Sequence, residues 1–155
     1  MTRPVCSTLS LSIRPARTPD EIDEAAALYE RSGRAAFTWR PRDYFRAEDF
    51  RMFALDEDVW LARMGDALVG ILSILRAEDF IHCLYIDPAA QRLGVGRALV
   101  THVRGAIGRP LTLKLDVPNR RAVGFYEATG WERMTGLDDQ GVDEMGIKWA
   151  RYRLA

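Results

Sequence analysis

Residues 91–98 read Gln-Arg-Leu-Gly-Val-Gly-Arg-Ala, directly after an apolar run that closes at Asp87-Pro88. The run Phe80-Ile81-His82-Cys83-Leu84-Tyr85-Ile86 predicts a buried strand, and the stretch from about Val95 predicts a helix. Strand, glycine turn and helix start in that order bring a strand end and a helix N-terminus together. The first N–H groups of a helix point outward, and its dipole favours negative charge there. Gly94 and Gly96 carry no side chain, so a phosphate can reach the backbone. Arg92 and Arg97 add positive charge at the rim.

Two familiar phosphate motifs fail on single residues. A dinucleotide-binding Gly-x-Gly-x-x-Gly needs glycine where Leu99 stands, and no Gly-Lys-Ser/Thr triplet exists for a P-loop. What remains is Gln91-x-x-Gly94-x-Gly96 after a strand ending in Asp-Pro. This resembles the pyrophosphate-binding motif of the GNAT superfamily, N-acetyltransferases that use acetyl-coenzyme A. A second stretch agrees, Asn119-x-x-Ala122-x-x-Phe125-Tyr126-Glu127-x-x-Gly130-Trp131. Many relatives carry phenylalanine where Trp131 stands, a difference in packing more than in chemistry.

The chain is 155 residues long, enough for one domain with a full core, taken as 9–155 behind a loose tail at 1–8. Its 22 basic and 22 acidic residues balance, so no global charge draws it to nucleic acid or an anionic membrane. No apolar run is long enough to cross a bilayer. Arg3, Pro4, Arg14 and Arg17 break up the N-terminus, so a signal peptide is not expected. Cys6 and Cys83 give no disulfide framework, and a reducing cytoplasm is the expected location.

Leu9, Leu11 and Ile13 alternate with polar residues and predict a first strand ending near Pro15. Thr18 or Asp20 caps a helix that runs up to Ser32-Gly33. Residues 34–57 predict a helical stretch broken near Pro41. Val59–Met64 and Ala67–Leu75 flank Gly65-Asp66 as a hairpin, and the Phe80 strand follows. The glycine-turn helix, a strand over 111–117, a helix capped by Asn119, and strands over 131–134 and 146–154 complete the order. The class is α/β (α+β): a mixed, mostly antiparallel twisted sheet of six to seven strands with helices on both faces. The GNAT resemblance, running from about residue 12 to the end, implies the same fold.

The resemblance also implies roles. Gln91, Arg92, Leu93, Gly94, Val95, Gly96 and Arg97 would hold the cofactor phosphates, without a metal. Leu84, Tyr85 and Ile86 would offer backbone groups to the pantetheine arm and the acetyl oxygen. Asn119 would contact the pantetheine, or only cap its helix. Tyr126 would protonate the departing sulfur, since a phenol of pKa about 10 holds its proton at neutral pH; the alternative is a core aromatic. Several relatives place a general-base glutamate where Phe80 stands here. His82, two residues on and on the same side of the strand, is the candidate base, with Asp79, Glu30 or ordered water as alternatives.

The expected activity is transfer of the acetyl group of acetyl-CoA to a primary amine of a small molecule or peptide, by direct attack in a ternary complex. Aromatic residues Phe37, Trp39, Tyr44, Phe45 and Phe53, with acids Asp138, Asp139, Asp143 and Glu144, fall where relatives shape the acceptor site. Trp149 and Tyr152 near the C-terminus, with the resemblance, point to a homodimer. The rival reading is a catalytically silent acyl-CoA-binding sensor or assembly module of the same fold.

Overall fold

A computed structural model describes residues 10–155. The tail at 1–8, Cys6 and Leu9 lie outside the described residues. Strands β1 (Leu11–Pro15), β2 (Glu57–Met64), β3 (Ala67–Leu75) and β4 (Phe80–Ile86) pair antiparallel in succession. β5 (Leu111–Asp116) joins β4 in a parallel pairing, and β8 (Lys148–Leu154) returns antiparallel beside β5. Two short strands, β6 (Glu132–Arg133) and β7 (Gln140–Val142), pair with β8. Among the described residues the sheet therefore has eight strands, not six to seven. The unexpected one is β7, whose three residues are too few for alternation to show in the sequence.

Helices cover both faces, as expected. α1 (Pro19–Ala36) and α2 (Ala47–Phe53) enclose a core of Leu28, Tyr29, Phe45, Phe50, Leu61 and Ile71. α3 (Val95–Ile107) and α4 (Arg120–Ala128) belong to the other face, where Leu72, Leu99, Val103, Leu113, Tyr126, Trp131 and Tyr152 pack. Thr18 caps α1 by accepting from the Glu21 N–H at 3.2 Å. That helix does not stop at Gly33. Gly33 lies inside it because any Cβ there would strike the Phe45 ring. Pro41 and a short turn at Arg42–Tyr44 then separate α1 from α2.

One irregularity positions the site. β4 and β5 pair only at Phe80↔Thr112 and Ile81↔Leu113, after which the two strands fork. At the same level the β3–β4 ladder steps from Ile74↔Ile81 to Ser73↔Cys83, so His82 is an extra, bulged residue. Ile81 is buried on the α3 side and Cys83 on the α1 side. His82 leans to the α1–α2 side, with its ring 4.5 Å from that of Phe53.

Candidate active site

The glycine turn forms one wall of a cleft of about 470 Å³ on one side of the fork. Gly94 caps α3 in the left-handed region, at φ 80°, which explains the residue type there. Arg92 shares that region at φ 67°, an uncommon conformation for a residue with a side chain. The first helical bond of α3 runs from the Ala98 N–H to the Gly94 carbonyl at 3.0 Å. The N–H groups of Val95, Gly96 and Arg97 therefore have no helical acceptor. Gly96 is different from Gly94: a Cβ built on it would sit 3.6 Å from Phe125 and 3.7 Å from Ile86, ordinary contacts. The protein's own packing does not require glycine at 96. Its bare backbone beside the free N–H groups of the turn fits a bound pyrophosphate.

Tyr126 lines the same cleft, buried among Phe125 (ring centroids 5.1 Å) and Trp131 (5.4 Å). Burial pushes its phenol pKa well up, so the hydroxyl keeps its proton at any neutral pH. Asn119 caps α4 by accepting from the Ala122 N–H at 3.2 Å, and it also lines the cleft.

On the other side of the fork lies a second cavity of about 870 Å³. Phe37, Tyr85 and Asn119 line both spaces, so the two meet at the split between β4 and β5. His82 lines the second cavity, and its Nδ1 is 2.6 Å from Glu57 Oε1. Burial works against the charged ring, but the Cys83 thiol and the Glu57 carboxylate beside it prevail and raise its pKa to about 10. The imidazole is thus an imidazolium at neutral pH, clamped to a buried carboxylate.

Arg40 closes the cavity's far end. Its side chain is 5% exposed, and it donates to Asp116 at 2.7 and 2.9 Å and to Asp143 at 2.8 Å. Trp39 adds a bond from its indole N–H to Asp116 at 3.0 Å. Asp143 also accepts from the Met145 and Ile147 N–H groups, each at 2.9 Å. This clasp ties the α1–α2 loop to the end of β5 and to the turn before β8.

A family profile described as "Acetyltransferase (GNAT) domain" matches residues 22–155. The chain belongs to the GNAT acetyltransferase family. It is accordingly an acyltransferase. This GNAT chain is 32% identical over 148 residues to peptidyl-lysine N-acetyltransferase YjaB of Escherichia coli (strain K12), covering 94% of this chain and 96% of that protein. The solution structure of apo YjaB from Escherichia coli superposes with a TM-score of 0.72 at 26% identity, covering 93% and 97% of the two chains. The PaiA N-acetyltransferase of Thermoplasma acidophilum in complex with coenzyme A shares the fold, with a TM-score of 0.71 at 14% identity over 92% and 98%.

The GNAT fold brings together most of the residues singled out in the sequence. Leu84, Tyr85, Ile86, Gln91, Arg92, Gly94, Val95, Gly96, Arg97, Asn119 and Tyr126 all line the first cleft. Leu93 does not; its side chain is 61% exposed. Among the base candidates only His82 lines the second cavity. Asp79 is held by Arg109 at 2.7 and 2.9 Å, and Glu30 accepts from the Ala47 N–H at 2.8 Å and pairs with Arg34. Asp139 caps the Gly136 N–H at 2.8 Å, and Asp143 is taken up in the Arg40 clasp. Sequence reasoning missed Glu57. Its signal is faint: one acid at the start of an apolar strand, facing His82 only once β2, β3 and β4 have paired.

Proposed function

We propose that this GNAT enzyme transfers the acetyl group of acetyl-CoA to a primary amine, a peptide lysine foremost, by direct attack in a ternary complex. One observation carries the reading: two lined spaces meet at the β4–β5 fork, sharing Phe37, Tyr85 and Asn119. Two substrates entering from opposite sides bring their reacting groups together there, and that proximity supplies much of the rate. The name of YjaB, a peptidyl-lysine acetyltransferase, supports lysine as the acceptor class.

When bound, acetyl-CoA supplies an activated thioester carbonyl. The free N–H groups at 95–97, with Arg92 and Arg97, hold its phosphates. The unpaired edge of β4 at Leu84–Ile86 offers N–H and C=O groups to the pantetheine arm and to the developing oxyanion. Tyr126 gives its proton to the sulfur as the carbon–sulfur bond breaks. The amine proton goes to His82 in molecules where the ring is neutral, or to water. A base whose conjugate acid has a pKa near 10 is matched to a lysine ammonium of about 10.4, so the rate rises with pH toward 10.

Release of free coenzyme A in the presence of lysine peptides and small amines tests the reading. Acetyl-CoA binding without turnover on any member of the panel would establish the silent module instead. An acceptor amine of low pKa isolates the enzyme's own limb of the pH profile. That limb should vanish in His82→Gln if the ring is the base, and remain if water is.

A further inference from the structure

The floor of the acceptor cavity is the face of β5 and β8 on which Lys114 and Arg151 stand. They lie directly opposite each other on that antiparallel pair and line the same cavity. Alternation sends Leu113, Leu115, Ala150 and Tyr152 into the core on the other face, so the two cations are fixed on the cavity side. Like charges directly opposite on paired strands repel and destabilise the sheet. Among the described residues neither cation forms an ion pair. Asp116, the acid on the same face, is already bound by Trp39 and Arg40. Lys114 rests its ammonium 3.9 Å from the Trp149 ring centroid, a contact that uses none of its N–H donors on an acceptor. The Arg151 Nε–H is buried and has no acceptor among the described residues. The repulsion between the two facing cations finds relief in an anion bound between them in the cavity.

We propose that Lys114 and Arg151 form a carboxylate subsite, so that the preferred acceptor is an amine bearing a carboxylate nearby: a free amino acid, or a peptide with an acidic group next to its reacting amine. This rests on the acetyl-transfer reading above. The guanidinium fork matches a planar carboxylate, and the ammonium beside it adds a point charge. Across the cavity Asp43 and Asp49, which form no ion pair among the described residues, face the ammonium end of such a molecule. Those acids also disfavour a dianion such as phosphate in the same space.

The test uses acceptors that differ by one charge: a lysine peptide with Asp or Asn beside the lysine, and a free amino acid against its amide. In the wild-type protein the acid member of at least one pair should win by about tenfold in kcat/KM, through KM, the scale of one charge-assisted hydrogen bond. Which pair shows it identifies the source of the carboxylate. In Lys114→Gln and Arg151→Gln that ratio should fall toward one. Equal use of acid and amide in both pairs, or a ratio unmoved in both folded variants, overturns the proposal. The nitrogen NMR signal of Arg151 Nε gives a readout free of turnover: it should shift with the acid and not with the amide. A shift without turnover of any acceptor would sink acetyl transfer and leave the subsite standing; no shift overturns the subsite. Lys114→Gln should melt close to wild type, because it removes a like-charge neighbour along with a Trp149 contact of similar size. A much lower melting temperature would make the pair structural and overturn the assignment.

Discussion

Tyr126 sits between two aromatic rings with a phenol that burial keeps protonated. Tyr126→Phe removes one hydroxyl and leaves that packing in place. Coenzyme binding should persist, because the proposed phosphate site is the α3 turn, while turnover falls by about ten- to a hundredfold. Steady-state coenzyme A release measures this, and an unchanged rate where chemistry is limiting would reduce Tyr126 to a core aromatic. Gly96 offers the complementary separation. A methyl fits the protein at 96, so Gly96→Ala should fold and melt as wild type yet bind acetyl-CoA more weakly in calorimetry; Gly96→Glu should abolish binding. His82 links the site to pH. Its folded pKa of about 10 stands above the unfolded value of 6.5, so its stabilising contribution is full below pH 6.5 and is lost between 6.5 and 10. Thermal melts should fall across that window in the wild type, and fall less in His82→Gln.

At the scale of elements, the α1–α2 loop owes its place to Arg40. Its 5% exposed guanidinium holds Asp116 and Asp143, 76 and 103 residues away in sequence. Arg40→Met leaves two carboxylates unpaired and should cost about 3 kcal/mol in denaturant unfolding, the scale for removing one partner of a buried ion pair. It should also raise the acceptor KM more than the acetyl-CoA KM, because the clasp borders only the second cavity, the proposed acceptor side. Such contacts explain what the sequence could tell and what it could not. The glycine turn, the Asn119 cap and the alternation of β5 are local patterns, and the turn and Asn119 line the first cleft together. Glu57 beside His82, the bulge at His82 and the Arg40 clasp exist only after distant strands have found their register. No periodicity records them.

For the whole molecule, Tyr152 is 2% exposed within the core and Trp149 underlies Lys114 at the acceptor cavity. Tyr152 is therefore used inside the protomer, while Trp149 is only partly buried. Leu137, 97% exposed, and Val142, 61% exposed, are the apolar side chains left outside near β7. We propose that edge as the contact of a homodimer, in which case Leu137→Asp should leave a single 17.6 kDa particle in light scattering. A double-mass particle unmoved by the change would place the contact elsewhere.

Below the fork, β4 and β5 share one continuous ladder; above it, Leu84–Ile86 present an edge in the interior of a sheet, where edges are normally absent. An extended polyamide laid along that edge is, in hydrogen-bonding terms, an additional strand. On the proposed function, the co-substrate would complete the protein's secondary structure, and folding and catalysis would draw on the same amides. Hydrogen exchange should register this directly: the amides of Leu84 and Ile86, which alternate away from β3, exchange fast in the free protein and slow down on addition of acetyl-CoA, while those of Tyr85, β2 and β3 hardly change. At about a hundredfold excess over Kd the ligand also adds about 2.7 kcal/mol to global stability by mass action alone. Loss of acetyl-CoA in the cell would then do more than stop the reaction; it would loosen the middle of the sheet and expose the idle enzyme to proteolysis.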